Sequence, residues 1–146
     1  RWGNILDFKG FDLITPNERE ARFALADQDS TVGSLSGKIR SLSKCKILFM
    51  KLGEKGLFVN TNKTKNERSY FSIDSFANHV SDAVGAGDAL LAYSCLSLME
   101  NKSEVAAAII GSIAAACECE HDGNIPITPE KVLHKLKSIE KRMNYE

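Results

Sequence analysis

Short apolar runs separated by turn-forming residues predict strands in the first half of the chain. Residues 11–14 and 46–52 are almost continuously apolar, which is typical of strands covered on both faces. Residues 57–59 and 70–73 predict two further strands, and the polar residues 60–67 predict a hairpin tip between them. The pattern therefore predicts a sheet in this half of the chain.

A helix start follows the first predicted strand. Thr15 is a candidate N-cap, because Pro16 suits the first helical position and Glu18 lies three residues after the cap. The helix should continue to about Ala26 and bury Phe23.

Further helices are predicted over residues 32–43, 89–99 and 105–117, with Asn101 as the cap of the third, and a last helix is predicted from Thr128. Two of them are amphipathic. The apolar face of the helix over residues 32–43 contains Leu35, Ile39 and Leu42, and that of the last helix contains Val132, Leu133, Leu136 and Ile139. Nearly all residues of the helix over residues 105–117 are small and apolar, so this helix should be buried. Helices that alternate with strands predict a layered α/β fold.

Composition narrows the classes of partner. The chain has 146 residues, with 19 Lys plus Arg against 19 Asp plus Glu, so nucleic acid is not an expected partner. No apolar run approaches the roughly 20 residues of a membrane span, so no membrane partner is expected either. Four cysteines lack the spacing of a metal site, and we interpret them as reduced thiols of a cytoplasmic protein.

The densest chemical signal is the glycine motif at residues 82–88. Gly85, Ala86 and Gly87 are small enough for backbone N–H groups to approach an anion, and the helix that follows adds the positive end of its dipole. Asp88 would lie beside that anion, where a carboxylate can accept a proton from a hydroxyl. The alternative is structural: Asp88 caps the helix, and the glycines only permit a tight turn.

Two common phosphate motifs fit poorly. Leu90 stands where the dinucleotide fingerprint has its third glycine. A Walker loop over residues 33–38 is one residue short, and Ile39 replaces its magnesium-binding hydroxyl.

Two further turns carry candidate chemistry. Asn17 and Glu20 share the first turn of a helix, where an amide and a carboxylate could orient water around Mg²⁺; the alternative is simple capping. The glycines of the turn at residues 51–56 could let a ribose or phosphate approach the backbone; the alternative is a tight turn between strands.

Together, the three segments resemble the C-terminal half of a ribokinase-family (PfkB-type) sugar kinase. The family pattern is T-P-N-x-x-E, then G-x-x-G, then D-T-x-G-A-G-D, and it corresponds here to residues 15–20, 53–56 and 82–88. The resemblance implies a ribokinase-like, Rossmann-like layered sheet with flanking helices, incomplete at its N-terminal side. It also implies that residues 1–146 form the C-terminal part of a single kinase domain.

The resemblance implies a role for each matching residue. Asp88 matches the catalytic base, and the N–H groups of Gly85, Ala86 and Gly87 match the anion hole. The other matches are Asn17 and Glu20 for Mg²⁺ and phosphate, Lys51, Gly53 and Gly56 for the nucleotide, and Asp82 for a monovalent cation. The loop at residues 123–126 matches the segment that closes the adenine pocket. The sequence departs from the family at Ala83, where Thr is usual, and at Ser112, where many members place Asn beside adenine.

The expected function is Mg·ATP-dependent phosphorylation of a sugar or sugar phosphate. Residues 13–22 and 51–56 are most similar to the heptose 7-phosphate kinase domain of ADP-heptose synthesis, which makes that sugar a candidate. Expected partners are the sugar and either a second copy of the chain or a missing N-terminal half. A second hypothesis is a non-catalytic nucleotide-binding or assembly module that covers its open sheet edge with a partner chain.

Overall fold

The computed structural model describes residues 4–61, 69–121, 123 and 126–144. The chain divides into two compact units, Arg1–Asp74 and Ser75–Glu146. Most of the predicted hairpin tip, at residues 62–67, lies outside the described residues, as do two residues of the predicted adenine loop, Asn124 and Ile125.

The first unit contains a four-stranded sheet of order β1-β2-β3-β4. β1 (Leu13–Ile14) pairs in parallel with β2 (Ile47–Lys51), whereas β3 (Leu57–Thr61) and β4 (Tyr70–Ile73) continue the sheet in antiparallel fashion. All four strands overlap the apolar runs of the sequence, so the predicted sheet is confirmed.

Two helices, α1 (Glu18–Leu25) and α2 (Val32–Ser43), accompany this sheet. The core between them and the sheet consists of Ile14, Ala21, Leu35, Ile39, Cys45, Leu48 and Met50. The layered α/β fold is confirmed, and the bounds of α2 match the sequence prediction. Leu35 and Ile39 of its predicted apolar face are fully buried, whereas Leu42 on the same face is 52% exposed.

The start of α1 differs from the prediction. Asn17, not Thr15, is the N-cap, and it forms a capping box with Glu20. Ala21 is fully buried, and Phe23, about 200° away around the helix, is 58% exposed. The prediction that Phe23 is buried is therefore wrong.

The second unit contains three helices, α3 (Ala86–Asn101), α4 (Glu104–Cys119) and α5 (Pro129–Met143). α3 packs along α4, and Gly111 lies at their closest approach, because a Cβ there would be 2.9 Å from the carbonyl oxygen of Leu90. The core of this unit contains Ile113, Ala114, Cys117, Ile127 and Val132.

One prediction in this unit is wrong in detail. Ser103 caps α4, and Asn101 instead accepts a hydrogen bond from the Ser103 N–H at 2.9 Å. Leu133, which was assigned to the apolar face of the last helix, is half exposed, whereas Val132 is buried. Within the described part of the chain, none of the helices has the length and apolar character needed to cross a bilayer.

Candidate functional site

The glycine motif forms a turn that leads directly into α3. Gly85 is the N-cap of this helix and has φ of +85°, in the left-handed region that disfavours residues with a Cβ. Just before it, the side chain of Asp82 accepts a hydrogen bond from the Val84 N–H at 2.9 Å. The motif is therefore a folded turn rather than an extended linker.

Two of the three backbone N–H groups predicted to form the anion hole have no hydrogen-bond acceptor among the described residues. The Ala86 N–H donates to the carbonyl of Ala83 over a long 3.3 Å. Among the described residues, neither the Gly85 nor the Gly87 N–H has an acceptor. These donors lie at the positive end of the α3 dipole, so an anion could accept hydrogen bonds from both.

Asp88 is the third residue of α3 and does not cap it. Its backbone N–H donates to the Gly85 carbonyl at 3.0 Å, while its carboxylate is exposed and has no hydrogen bond or ion pair to any described residue. The capping alternative for Asp88 is therefore wrong. Because this carboxylate is unpaired and lies in the same helical turn as the Gly85 and Gly87 N–H groups, it can accept a proton from a bound hydroxyl.

Asp82, at the start of this turn, and Ser112, on α4, are the other predicted site residues of this unit. Asp82 is partly buried, and its backbone N–H donates to the Cys119 carbonyl at 3.2 Å. Ser112 lies in the middle of α4, half-buried and next to Gly111. No group of three His, Cys, Asp or Glu side chains in the described ranges is arranged to hold a metal ion. The cation role of Asp82 and the adenine role of Ser112 stay predictions.

In the first unit, the structure brings Asn17, Glu20 and Lys51 together. Asn17 forms an isolated parallel bridge with Lys51, and the Lys51 N–H donates to the Pro16 carbonyl at 2.9 Å. The start of α1 and the end of β2 therefore lie side by side, at an edge where α/β proteins commonly bind ligands.

The capping box uses part of the polar capacity of Asn17 and Glu20. The Asn17 Oδ1 accepts from the Glu20 N–H, and the Glu20 Oε2 accepts from the Asn17 N–H, both at 2.7 Å. The Glu20 Oε1 has no partner among the described residues. Because Mg²⁺ in phosphate sites keeps several waters and few carboxylate ligands, this oxygen fits contact with Mg²⁺ directly or through water. Capping and the predicted metal role are thus compatible.

The turn after β2 is a short 3₁₀ helix at Gly53–Lys55, closed by hydrogen bonds from Gly56 to Gly53 and from Leu52 to Gly56. Gly53 and Gly56 have φ of +63° and +87°. The tight-turn interpretation is confirmed, and no atom lies within 4 Å of the position that a Gly53 Cβ would occupy. The backbone is therefore open to close approach by a ligand at this point.

Sequence reasoning missed the hydrogen-bond network of Arg22 at the end of α1. Arg22 pairs with Glu18 at 2.7 Å, and its guanidinium donates to the carbonyls of Asp27, Gln28 and Ser30. The i, i+4 spacing of Glu18 and Arg22 was the available signal. The pair borders a surface cavity of about 490 Å³ whose other lining residues are Arg19, Phe23 and Gln28, so none of the predicted site residues lines it.

Comparison with known proteins identifies the family of this chain. The profile of the "pfkB family carbohydrate kinase" matches residues 5–131. The chain therefore belongs to the pfkB family of carbohydrate kinases, and the resemblance seen in its motifs is confirmed. Comparison with curated protein sequences returned no match.

Solved structures share the fold. The ribokinase of Thermotoga maritima is 30% identical, with a TM-score of 0.75 over 89% of this chain and 43% of its own. An Arabidopsis thaliana ribokinase complexed with ribose and ATP is 24% identical, with a TM-score of 0.75 over 89% of this chain and 42% of its own. The Escherichia coli phosphofructokinase-2 in complex with potassium is 18% identical, with a TM-score of 0.78 over 92% and 43%. The chain spans less than half the length of each of these structures.

Proposed function

We propose that this chain takes part in transfer of a phosphoryl group from Mg·ATP to a hydroxyl of a sugar or sugar phosphate. The observation that carries the proposal is the unpaired carboxylate of Asp88, in the first turn of α3 together with the free N–H groups of Gly85 and Gly87. A base and an anion site at this spacing suit phosphoryl transfer, in which catalysis is mainly positioning and charge stabilisation.

Each residue has a defined task in this mechanism. Asp88 accepts the proton of the attacking hydroxyl. The Gly85 and Gly87 N–H groups, with the α3 dipole behind them, stabilise the negative charge on the transferring group. Glu20 and Asn17 would hold the Mg²⁺ shell, and the ion, when bound, neutralises phosphate charge. The family resemblance assigns nucleotide contacts to Lys51, Gly53 and Gly56, and separately to Ser112.

The proposal specifies three features that membership of the family does not: the acceptor sugar, a monovalent cation and the cellular compartment. Heptose 7-phosphate is the leading acceptor because residues 13–22 and 51–56 resemble heptose 7-phosphate kinases. A monovalent cation would lie near Asp82, and an Escherichia coli relative of the same fold is known in complex with potassium. Free cysteines and an ATP substrate favour the cytoplasm as the compartment.

A second candidate is a nucleotide-binding or assembly module without catalysis. The observation that favours it is that this chain aligns with less than half of each of the three solved structures. An associating partner, whether a second copy or an N-terminal half of the same fold, would then complete the structure.

The first experiment is a calorimetric titration of the chain with Mg·ATP. Saturable binding that weakens without Mg²⁺ supports the nucleotide site, whereas a folded chain that binds nothing contradicts it. Turnover is then measured on the product of the complete gene with a panel of a pentose, a hexose phosphate and heptose 7-phosphate. Transfer to none of these acceptors, despite tight ATP binding, would favour the module.

The base assignment is tested by Asp88→Asn in the same gene product. We expect turnover to fall by about 10²–10⁴, the usual contribution of a general base, with ATP affinity nearly unchanged. Asp74→Asn, at another exposed aspartate, is the matched control and should be silent. Turnover of Asp88→Asn within a few fold of wild type would refute the role.

A further inference from the structure

The segment that precedes residues 83–87, here called the anion loop, has no regular structure of its own. Residues 75–82 contain no helix or strand, and Asn78 to Ser81 are exposed. Such a segment is ordered only where its polar groups find partners on a rigid element. Its contacts therefore decide how well the loop that follows is positioned.

One attachment is made by the backbone. The N–H groups of Ser81 and Asp82 both donate to the Cys119 carbonyl, at 2.8 and 3.2 Å. This carbonyl belongs to the last residue of α4, whose terminal carbonyls lack helical partners. The end of α4 thereby fixes the residues next to the anion loop.

Phe76 packs against the core of this unit, and a second polar attachment is made by the side chain of Glu120, the C-cap residue of α4. Its Oε1 accepts from the backbone N–H of Asn78 at 2.7 Å and from the Asn78 side chain at 3.2 Å. The same oxygen accepts from the Nζ of Lys135 on α5 at 2.7 Å. The side chains of Glu120 and Lys135 are only 16% and 12% exposed, so solvent screens this pair less than a surface ion pair.

Asn78 is held from a second side as well. Its Oδ1 accepts from a guanidinium nitrogen of Arg142, near the end of α5, at 3.3 Å. Glu120 is thus the point at which α4, α5 and the segment before the anion loop meet.

We propose that Glu120 is a positioning residue for the phosphate-binding loop at residues 83–87. Glu120 and Cys119 attach the segment at Asn78 and at Ser81–Asp82, and the bond from Val84 to Asp82 leaves little free chain before Gly85. Preorganised donors stabilise an anion better than donors that must be ordered on binding. This proposal depends on the phosphate-binding function proposed above.

The test compares Glu120→Ala with Glu140→Ala, an exposed glutamate of α5 whose side chain has no partner in the described part of the chain. Each variant and the wild type are titrated with Mg·ATP and with adenosine, which lacks phosphates. We expect Glu120→Ala to bind ATP about tenfold more weakly, the size of one charge-assisted hydrogen bond, and adenosine about as well as wild type. Glu140→Ala should bind both like wild type.

The amides of Ser81, Asp82, Val84 and Ala86, which have hydrogen-bond acceptors, supply a second readout that needs no ligand. Their hydrogen exchange should accelerate in Glu120→Ala and not in Glu140→Ala. Glu120→Gln, which keeps an acceptor for Asn78 but loses the charge facing Lys135, should be intermediate in both measurements. It also replaces Glu120→Ala if that variant does not fold.

The outcomes separate this proposal from the function on which it depends. Unchanged ATP affinity and unchanged exchange in a folded Glu120 variant overturn the positioning role alone. An equal loss of ATP and adenosine binding overturns it as well, because a general structural defect has no preference for phosphate. A wild-type chain that is folded but binds neither ligand refutes the nucleotide site, and with it this role.

Discussion

The contact between α3 and α4 depends on the absence of a side chain at Gly111. A Cβ there would lie 2.9 Å from the carbonyl oxygen of Leu90 and 3.1 Å from its Cδ1, and it would collide with Oγ of Ser94. Ser94 is fully buried and donates to the Ala107 carbonyl at 3.1 Å, so it has no alternative partner in solvent. Gly111→Ala must therefore separate the helices or break this hydrogen bond.

The magnitude follows from three opposing effects. Overpacking a core typically costs about 1–3 kcal/mol. Loss of the buried Ser94 bond costs about 1–3 kcal/mol. Ala gains about 1 kcal/mol over Gly in helix propensity. We expect a net loss in the free energy of unfolding of about 0–2 kcal/mol if one of the two costs applies and of about 1–5 kcal/mol if both do.

The matched control is Gly37→Ala in α2. Gly37 is also inside a helix, but no atom lies within 4 Å of its ideal Cβ, so only the propensity gain remains. This control should be as stable as wild type or more stable by up to about 1 kcal/mol. Urea unfolding followed by circular dichroism measures both variants.

The result that would refute this reasoning is a Gly111→Ala variant as stable as Gly37→Ala. A finer check uses Ser94→Ala. Because Ser94 Oγ is one of the colliding atoms, its removal should cost less in the Gly111→Ala background than in wild type. Additive losses would mean that the clash with Ser94 is not the cause.

Two further predictions concern the anion loop and its support. Gly85→Ala should lose about 1–2 kcal/mol of stability, because an L-residue at φ of +85° is strained; urea unfolding equal to wild type would contradict this. Burial raises the pKa of the Glu120 carboxyl, but hydrogen bonds from Lys135 and the Asn78 N–H and the nearby positive charges outweigh it, so the pKa lies below 4.5. Its stabilisation should therefore be complete at neutral pH and be lost as pH falls from about 4.5 through the folded-state pKa. The stability difference between wild type and Glu120→Gln should narrow in that range, and a constant difference would contradict the assignment.

Local patterns in the sequence were enough to locate the strands and most of the helices. Continuous apolar runs marked β2 and β3, and helical spacing marked α2 to its observed bounds. The order of three short motifs indicated the family, which the pfkB profile confirms. These features depend on residues close together in the chain.

Capping was less predictable, because several neighbouring residues could serve. Thr15 and Asn17 are both good N-caps, as are Asn101 and Ser103, and the sequence favours neither of each pair. The structure uses the later residue in both cases. The burial of Phe23 was mispredicted for a different reason, since the helical pattern alone does not show which face of α1 meets the core.

The support of the anion loop was decided by tertiary structure alone. Asn78 and Glu120 are 42 positions apart in the chain, and Glu120 meets Lys135 only because α4 and α5 pack together. The sequence by itself determined the residue types that can bind a phosphate and accept a proton, since these are properties of glycine and aspartate. Only the fold decided whether those groups are held still, because preorganisation comes from contacts between segments that no local pattern contains.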